Sequence, residues 1–228
     1  MNNMPPRFSV VIPVLGEAET IAGAVRHLRE TALGHDVEVV VADGDPDGST
    51  LEAVDDPEVV CVLARKGRAR QMNAGARAAS GEVLAFLHAD TVLPRGAFEV
   101  MERVLEGNGA GAFDLAIDSP RPALRLIAWM ANRRSRATRM PYGDQCLFLR
   151  RRLFEDMDGF ADIPLMEDVE FCRRLKRRGT RMELAPQRVL TSPRRWEKQG
   201  VAYGTLRNWT LVSLYFMGVP PQKLVRWY

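Results

Sequence analysis

The sequence predicts an α/β fold of the doubly wound kind, a Rossmann-like central sheet of mostly parallel strands wrapped by helices. Three observations lead there. Short β-branched runs alternate with stretches of helical spacing through the first half of the chain. Those runs do not alternate polar with apolar, which marks strands buried on both faces. At 228 residues and 46% hydrophobic, the chain is long enough to bury one sizeable core.

Taken in order, residues 8–14, 37–42, 59–63 and 83–88 read as strands, and residues 17–33, 49–54 and 68–80 between them carry apolar or small residues at helical spacing. Sheets of this type bind ligands beyond the carboxyl ends of their strands. That rule singles out residues 13–17, 43–49, 64–70 and 88–91. After Gly107 the pattern changes, with a strand expected at 111–117, a helix around 123–136 and a short strand at 145–149. Leu165, Met166, Val169, Cys172 and Leu175 then recur every three to four residues, on one face of a helix that Gly179 stops. No repeat or long linker divides the chain, so one domain over 1–228 is expected, in stretches of 1–107, 108–195 and a helical tail at 196–228.

The balance of 32 basic and 29 acidic residues leaves a net charge of +3, too small to demand a nucleic acid or an anionic membrane as partner. Basic groups at 133–134, 150–152, 173–174 and 176–178 read as solvated faces without a shared aromatic platform, so no nucleic-acid partner is expected. Cys61, Cys146 and Cys172 are odd in number and far apart, which argues against a disulfide framework or structural zinc and for a reducing cytoplasm. Residues 1–7 lack the charged start and apolar run of a signal peptide, so export is not expected. The longest apolar stretch, 209–219, falls short of the roughly 20 residues a membrane span needs. The aromatic tail at 199–228 is expected to pack against the domain; exposed, it would make an acceptor lid, a homodimer contact or a peripheral membrane anchor.

Four places carry residues suited to chemistry. Asp43, Asp45 and Asp47 crowd one turn between a strand and a helix. They suit a capped turn, or a nucleotide pocket in which Asp43 accepts the N–H of a base; calcium is disfavoured because Val54 stands where an EF-hand loop needs its bidentate Glu. Arg65, Lys66, Arg68 and Arg70 surround Gly67 at a helix start, a solvated charge run or a diphosphate site. Neither a P-loop nor a dinucleotide fingerprint is present, so a divalent metal, Mn²⁺ or Mg²⁺, is the expected holder of phosphate. Asp90 is the stronger ligand, and His88 is either a second ligand or a strand-end histidine with a structural hydrogen bond. Glu167 and Asp168 fit charge capping of a helix start or a general base acting on an acceptor hydroxyl.

Together these motifs resemble family 2 glycosyltransferases of the GT-A fold: SVVIP at 9–13 followed by Glu17, Asp43 to Thr50, His88-Ala89-Asp90 in place of the D-x-D element, and Glu167-Asp168 in place of the E-D element. The resemblance covers roughly residues 7 to 180. GRARQMNAG at 67–75, FLHADT at 86–91 and YGDQ at 142–145 are similar to a small bacterial subgroup linked to radical-SAM or selenium-related gene clusters, some of whose members are assigned to arsenosugar biosynthesis. The resemblance implies a nucleotide-binding half at 1–107, with Pro13 and Glu17 lining the pocket, Asp43 meeting the base, Arg68 or Arg70 near the diphosphate, and Asp90 on the metal. It implies an acceptor-side half at 108–195, in which Asp168 is the catalytic base with Glu167 beside it, and Asp144 and Gln145 face the acceptor. Arg195 and Trp196 are similar to the R-W element of processive members, whose membrane helices this chain lacks, so single additions are expected. The implied partners are a nucleotide-diphosphate sugar donor and a hydroxyl acceptor of unknown identity, joined by an inverting, metal-assisted displacement.

Two other readings compete. A sugar-phosphate nucleotidyltransferase would share sheet and metal, but its glycine-rich opening does not follow residues 8–13. A non-catalytic nucleotide-sugar-binding protein would explain the sheet but not the coexistence of Asp90 with Glu167 and Asp168.

Overall fold

A computed structural model gives the fold and describes residues 7–227; residues 1–6, on which the reading of the N-terminus mainly rests, and Tyr228 of the tail lie outside the described residues. Strands β1 (Phe8–Val14), β2 (Val37–Asp43), β3 (Val60–Leu63) and β4 (Val83–Phe86) lie side by side in the order β3-β2-β1-β4, all parallel. Their side chains serve two helix layers, as the strand period of two requires. Val10, Ile12, Val39 and Val41 pack with Ile21, Val25 and Leu28 of α1 (Ala18–Thr31). Val11 and Val40 pack with Ala69, Met72 and Ala76 of α2 (Arg68–Ala78) on the other face. Gly75 lets α2 lie this close, since a Cβ there would come 2.4 Å from Val11 Cγ1.

Beyond β4 the sheet continues through β7 (Leu147–Arg150), β6 (Ala110–Ile117), β8 (Met182–Thr191) and the short β5 (Thr91–Val92), giving eight strands among the described residues. Here β6 and β8 pair in parallel, while β4–β7, β7–β6 and β8–β5 are antiparallel, so the sheet as a whole is mixed. Helices α3 (Ala97–Gly107), α4 (Pro122–Thr138), α5 (Arg151–Asp156) and α6 (Glu167–Arg177) cover it. The tail forms α7 (Arg194–Gln199), α8 (Val201–Phe216) and α9 (Pro221–Leu224). Among the described residues no helix is long and apolar enough to cross a membrane.

Several expectations need correction. Residues 49–54 make only a 3-10 turn at Leu51–Ala53, because the chain there is held as a loop by the Asp43 carboxylate. Strand β3 is an edge with alternating exposure, so it is not buried on both faces. The strand expected at 83–88 stops at Phe86, which leaves His88 and Asp90 in the following loop. Gln145 closes a 3-10 turn at Gly143–Gln145 instead of opening a strand. Helix α3 and strand β8 were not anticipated. β8 is hidden by Pro186, which the sheet accommodates with a register shift: Phe113 pairs with Ala185, and the next residue, Asp114, pairs with Arg188.

Candidate active site

The loop after β4, the start of α2, the turn at 143–145 and the first turn of α6 converge on a cavity of about 150 Å³. Arg68, His88, Asp90, Asp144, Asp168, Arg195 and Trp196 all line it. The tail brings the last two. Pairing of β5 with β8 sets the Thr91 hydroxyl 3.1 Å from that of Thr191, and Ser192 N–H donates to the Asp90 carbonyl at 3.0 Å. Helix α8 closes the far side with Asn208, Leu211 and Val212.

Helix α6 starts abruptly because Met166 takes a left-handed conformation, φ 66°, which costs a non-glycine residue on the order of 1 kcal/mol. Consecutive helical side chains then diverge, and the two carboxylates part company. Asp168 faces the cavity; its Oδ2 accepts the Gly143 N–H at 2.7 Å, its Oδ1 accepts the Val169 N–H at 2.7 Å, and Arg68 Nη2 stands 3.7 Å away. Gly143 suits this contact, since a Cβ there would lie 3.3 Å from the same Asp168 oxygen. Glu167 turns inward, only 1% exposed, and is held by Arg68 Nε. Burial keeps its carboxyl above the ordinary range although Arg68 pulls the other way. Glu167, expected beside the base, anchors Arg68 and does not line the cavity.

Removing one partner of this pair strands the other. Arg68→Met is expected to destabilise the fold by about 2–3 kcal/mol because Glu167 is left buried without its cation. Thermal denaturation checks this, and Arg68→Met combined with Glu167→Gln should recover most of the loss.

Asp90 borders both this cavity and a second, mostly apolar one of about 250 Å³ beside α1. Burial raises its carboxyl, with the nearby Arg194 opposing the shift, and its side chain takes the Thr91 hydroxyl at 3.3 Å. Arg194 itself is engaged by Glu17 at 2.7 Å. His88 is half-buried in the cavity wall, and desolvation, followed by Arg68, pushes it down to about 3, so its ring is neutral and able to offer a lone pair. Its Nε2 is buried without a hydrogen-bond partner. Among the described residues no group of three or more His, Cys, Asp or Glu could hold a metal. One carboxylate with at most one imidazole fits Mg²⁺ or Mn²⁺ that takes its other oxygens from phosphates and water.

Asp144, on the same wall, is pushed up to about 6, first by burial and then by the charge of Asp168, with Arg134, Arg68 and Arg195 opposing. The folded chain holds this proton more tightly than the unfolded chain, whose aspartate loses it near 3.8. Folding stability therefore falls as pH rises through that interval and stays reduced above about 6. Asp144→Asn removes the loss. Its melting temperature is expected to exceed the parent's at about pH 8, by the equivalent of about 2 kcal/mol, and to match it at about pH 4.

Besides Glu167, five expected site residues are not brought to the cavity. Pro13 lies within β1, opposite Ala42. Asp43 is fully buried, with its carboxylate accepting the N–H groups of Asp45 and Thr50 at 2.9 and 3.0 Å, so it builds the loop and does not itself present a surface to a base. Arg70 leaves the α2 start for an exposed pair with Asp162 at 2.6 Å. Gln145 is buried and braces the fold, donating to the Phe113 carbonyl at 3.0 Å and accepting from Ser135 at 2.6 Å. Glu17 caps α1 and is directed at Arg194, not at the cavity. Sequence reasoning missed Gln71, whose amide bridges the carbonyls of Val14 and Ala42 and so ties the ends of β1 and β2 together. It missed the residues of α8 as well, since a helix face carries no sign of what lies beneath it.

The sequence model of glycosyl transferase family 2 matches residues 9–177. No curated protein sequence matches the chain. Among solved structures, the mannosyltransferase PcManGT from Pyrobaculum calidifontis, in complex with GDP-Man and Mn²⁺, is similar at 24% identity with a TM-score of 0.67, over 90% of this chain and 61% of that one. S. aureus TarS 1-349 is similar at 17% identity and a TM-score of 0.62, over 82% of this chain and 61% of its own. The same TarS fragment in complex with UDP-GlcNAc gives 15% identity and a TM-score of 0.61, over 82% and 58%. The chain thus spans about three fifths of the length of these structures. At such identities the likeness is one of fold, the GT-A arrangement of helices about a mixed sheet.

Proposed function

The chain belongs to glycosyl transferase family 2, and from that premise we propose that it moves a sugar from a nucleoside diphosphate donor to an acceptor hydroxyl by a single inverting displacement. The observation that carries this reading is the convergence of Asp90, Arg68 and Asp168, from three separate chain segments, on one cavity. A phosphate-side carboxylate, a cation and an acceptor-side base are the parts such a displacement needs.

Asp168 is aimed into the cavity, where its carboxylate takes the proton of the acceptor hydroxyl. As the O–H bond gives up its proton, the oxygen forms a bond to the anomeric carbon, and the bond from that carbon to the diphosphate oxygen breaks. The leaving nucleoside diphosphate departs with the electron pair. Gly143 and Val169 hold the Asp168 carboxylate in place through their N–H groups. Arg68 lends positive charge to the cavity while Glu167 fixes its position. Asp90, with the neutral His88 as a second donor, would hold a Mn²⁺ or Mg²⁺ ion, which supplies stabilisation of the charge that develops on the diphosphate. Asp144 and Arg195 lie across the cavity where an acceptor would meet them. The segments at 67–75, 86–91 and 142–145, whose sequences resemble the radical-SAM-linked subgroup, supply Arg68, His88, Asp90 and Asp144 to the cavity.

GDP-Man and UDP-GlcNAc, bound in the structural neighbours, are the first donors to try. The test is the anomeric configuration of the product by NMR. An inverted centre supports the single displacement, and a retained centre overturns it.

A further inference from the structure

Helix α8 carries large apolar side chains on two sides, and one of these sides is uncovered. Inward, Leu211 joins Leu165, Met166 and Val169 in a small buried cluster. Outward, Tyr203, Leu206, Trp209, Phe216 and Met217 are exposed, Leu206 by 68% and Trp209 by 58%. Tyr203, Leu206 and Trp209 recur every three residues and Phe216 lies two turns further on, which puts them on one side of the helix, with Met217 just past its end. Helix α4, which touches α8, adds exposed Leu126 and Trp129. Apolar and aromatic side chains gathered on an exposed helix face mark a docking surface.

The charges select the occupant. After Glu197 the sequence to Tyr228 has no Asp or Glu but includes Lys198, Arg207, Lys223 and Arg226. Helix α4 has no acid either, and its exposed Arg125 and Arg133 lie one helical turn either side of Trp129, with the Arg133 guanidinium 5.2 Å from the Trp129 ring centroid. Arg207 stands 5.7 Å from the Tyr203 ring in the same way. An aromatic and aliphatic stripe edged by cations matches the headgroup region of an anionic bilayer, where tryptophan and tyrosine settle and each arginine or lysine meets negative charge. A second copy of the chain would bring two cationic rims together, which disfavours a dimer on this face. A nucleic acid would leave Leu206 and Met217 without a use.

We infer that the outer face of α8, with the adjoining edge of α4, docks on the surface of an anionic lipid bilayer. The inner face of the same helix lines the site cavity through Asn208, Leu211 and Val212, so docking sets that cavity beside the lipid. The surface stands whether or not the cavity transfers a sugar.

Vesicle flotation tests it, with vesicles of phosphatidylcholine alone and of phosphatidylcholine mixed with phosphatidylglycerol, at low and at higher salt. Binding is expected to the mixed vesicles, to weaken with salt, and to fall by about tenfold or more for Leu206→Glu combined with Trp209→Glu. Thermal denaturation of the double variant, which needs no ligand, shows that it folds. The inference is overturned by flotation with neither vesicle or by unchanged flotation of the double variant. A dimer in sedimentation analysis that the double variant dissolves, or an oligonucleotide bound through these residues, would equally overturn it.

Discussion

Asp168→Asn is expected to lower sugar transfer by about a thousandfold, within the range that loss of a positioned general base produces, while donor binding stays within about twofold of the parent. The substitution keeps the size of the side chain and one oxygen able to accept the Gly143 N–H, so the turn at 143–145 and the start of α6 should persist. What it removes is the ability to take a proton. Steady-state kinetics with a donor in excess reads the first number and calorimetry the second. A parallel fall in donor affinity would instead make Asp168 part of the donor pocket. Glu167→Gln supplies the contrast, because its carboxylate never reaches the cavity: its effect should appear as lost stability and a displaced Arg68, with a much smaller fall in transfer.

Asp90→Ala is the second large effect. It lines the cavity beside the α1 pocket, and burial already biases it toward neutrality unless a cation arrives. Loss of an outer partner of a metal ligand costs roughly 10–100-fold in affinity, and loss of the ligand itself should cost at least the upper end of that range. Metal-dependent binding of a nucleoside diphosphate is therefore expected to weaken by about a hundredfold or more. Any weaker metal-independent binding should survive, since Arg68 and Arg195 remain in the wall. His88→Ala discriminates the two readings of the histidine, lowering metal affinity if His88 is a ligand and leaving it unchanged if the ring is structural.

The first half of the fold was legible because β1, β2 and β4 are largely apolar runs buried on both faces, and the rule that ligands gather at the carboxyl ends of such strands led to His88, Asp90 and Arg68. The helix face beginning at Leu165 likewise gave the position of Asp168. Rotation about that helix was not legible, so the sequence did not show that Glu167 turns inward to Arg68. Asp43 and Gln145 both satisfy buried backbone groups, which their sequence positions do not reveal. A polar residue that satisfies buried backbone groups has the same letter as one that meets a ligand, and only the hydrogen-bond partners separate them. β8 escaped because a proline and two-residue bulge break the strand pattern, and with it went the explanation of how Arg194, Arg195 and Trp196 come back beside Asp90.

The central claim is a metal-dependent site for a nucleoside diphosphate sugar at this cavity, and calorimetric titration of the protein with UDP, GDP, CDP and dTDP, each with Mn²⁺, with Mg²⁺ and with chelator, tests it most directly. The account predicts that one diphosphate binds with metal and loses most of its affinity with chelator. Binding of none of them under any condition, or binding that is indifferent to metal and to Asp90→Ala, would contradict it.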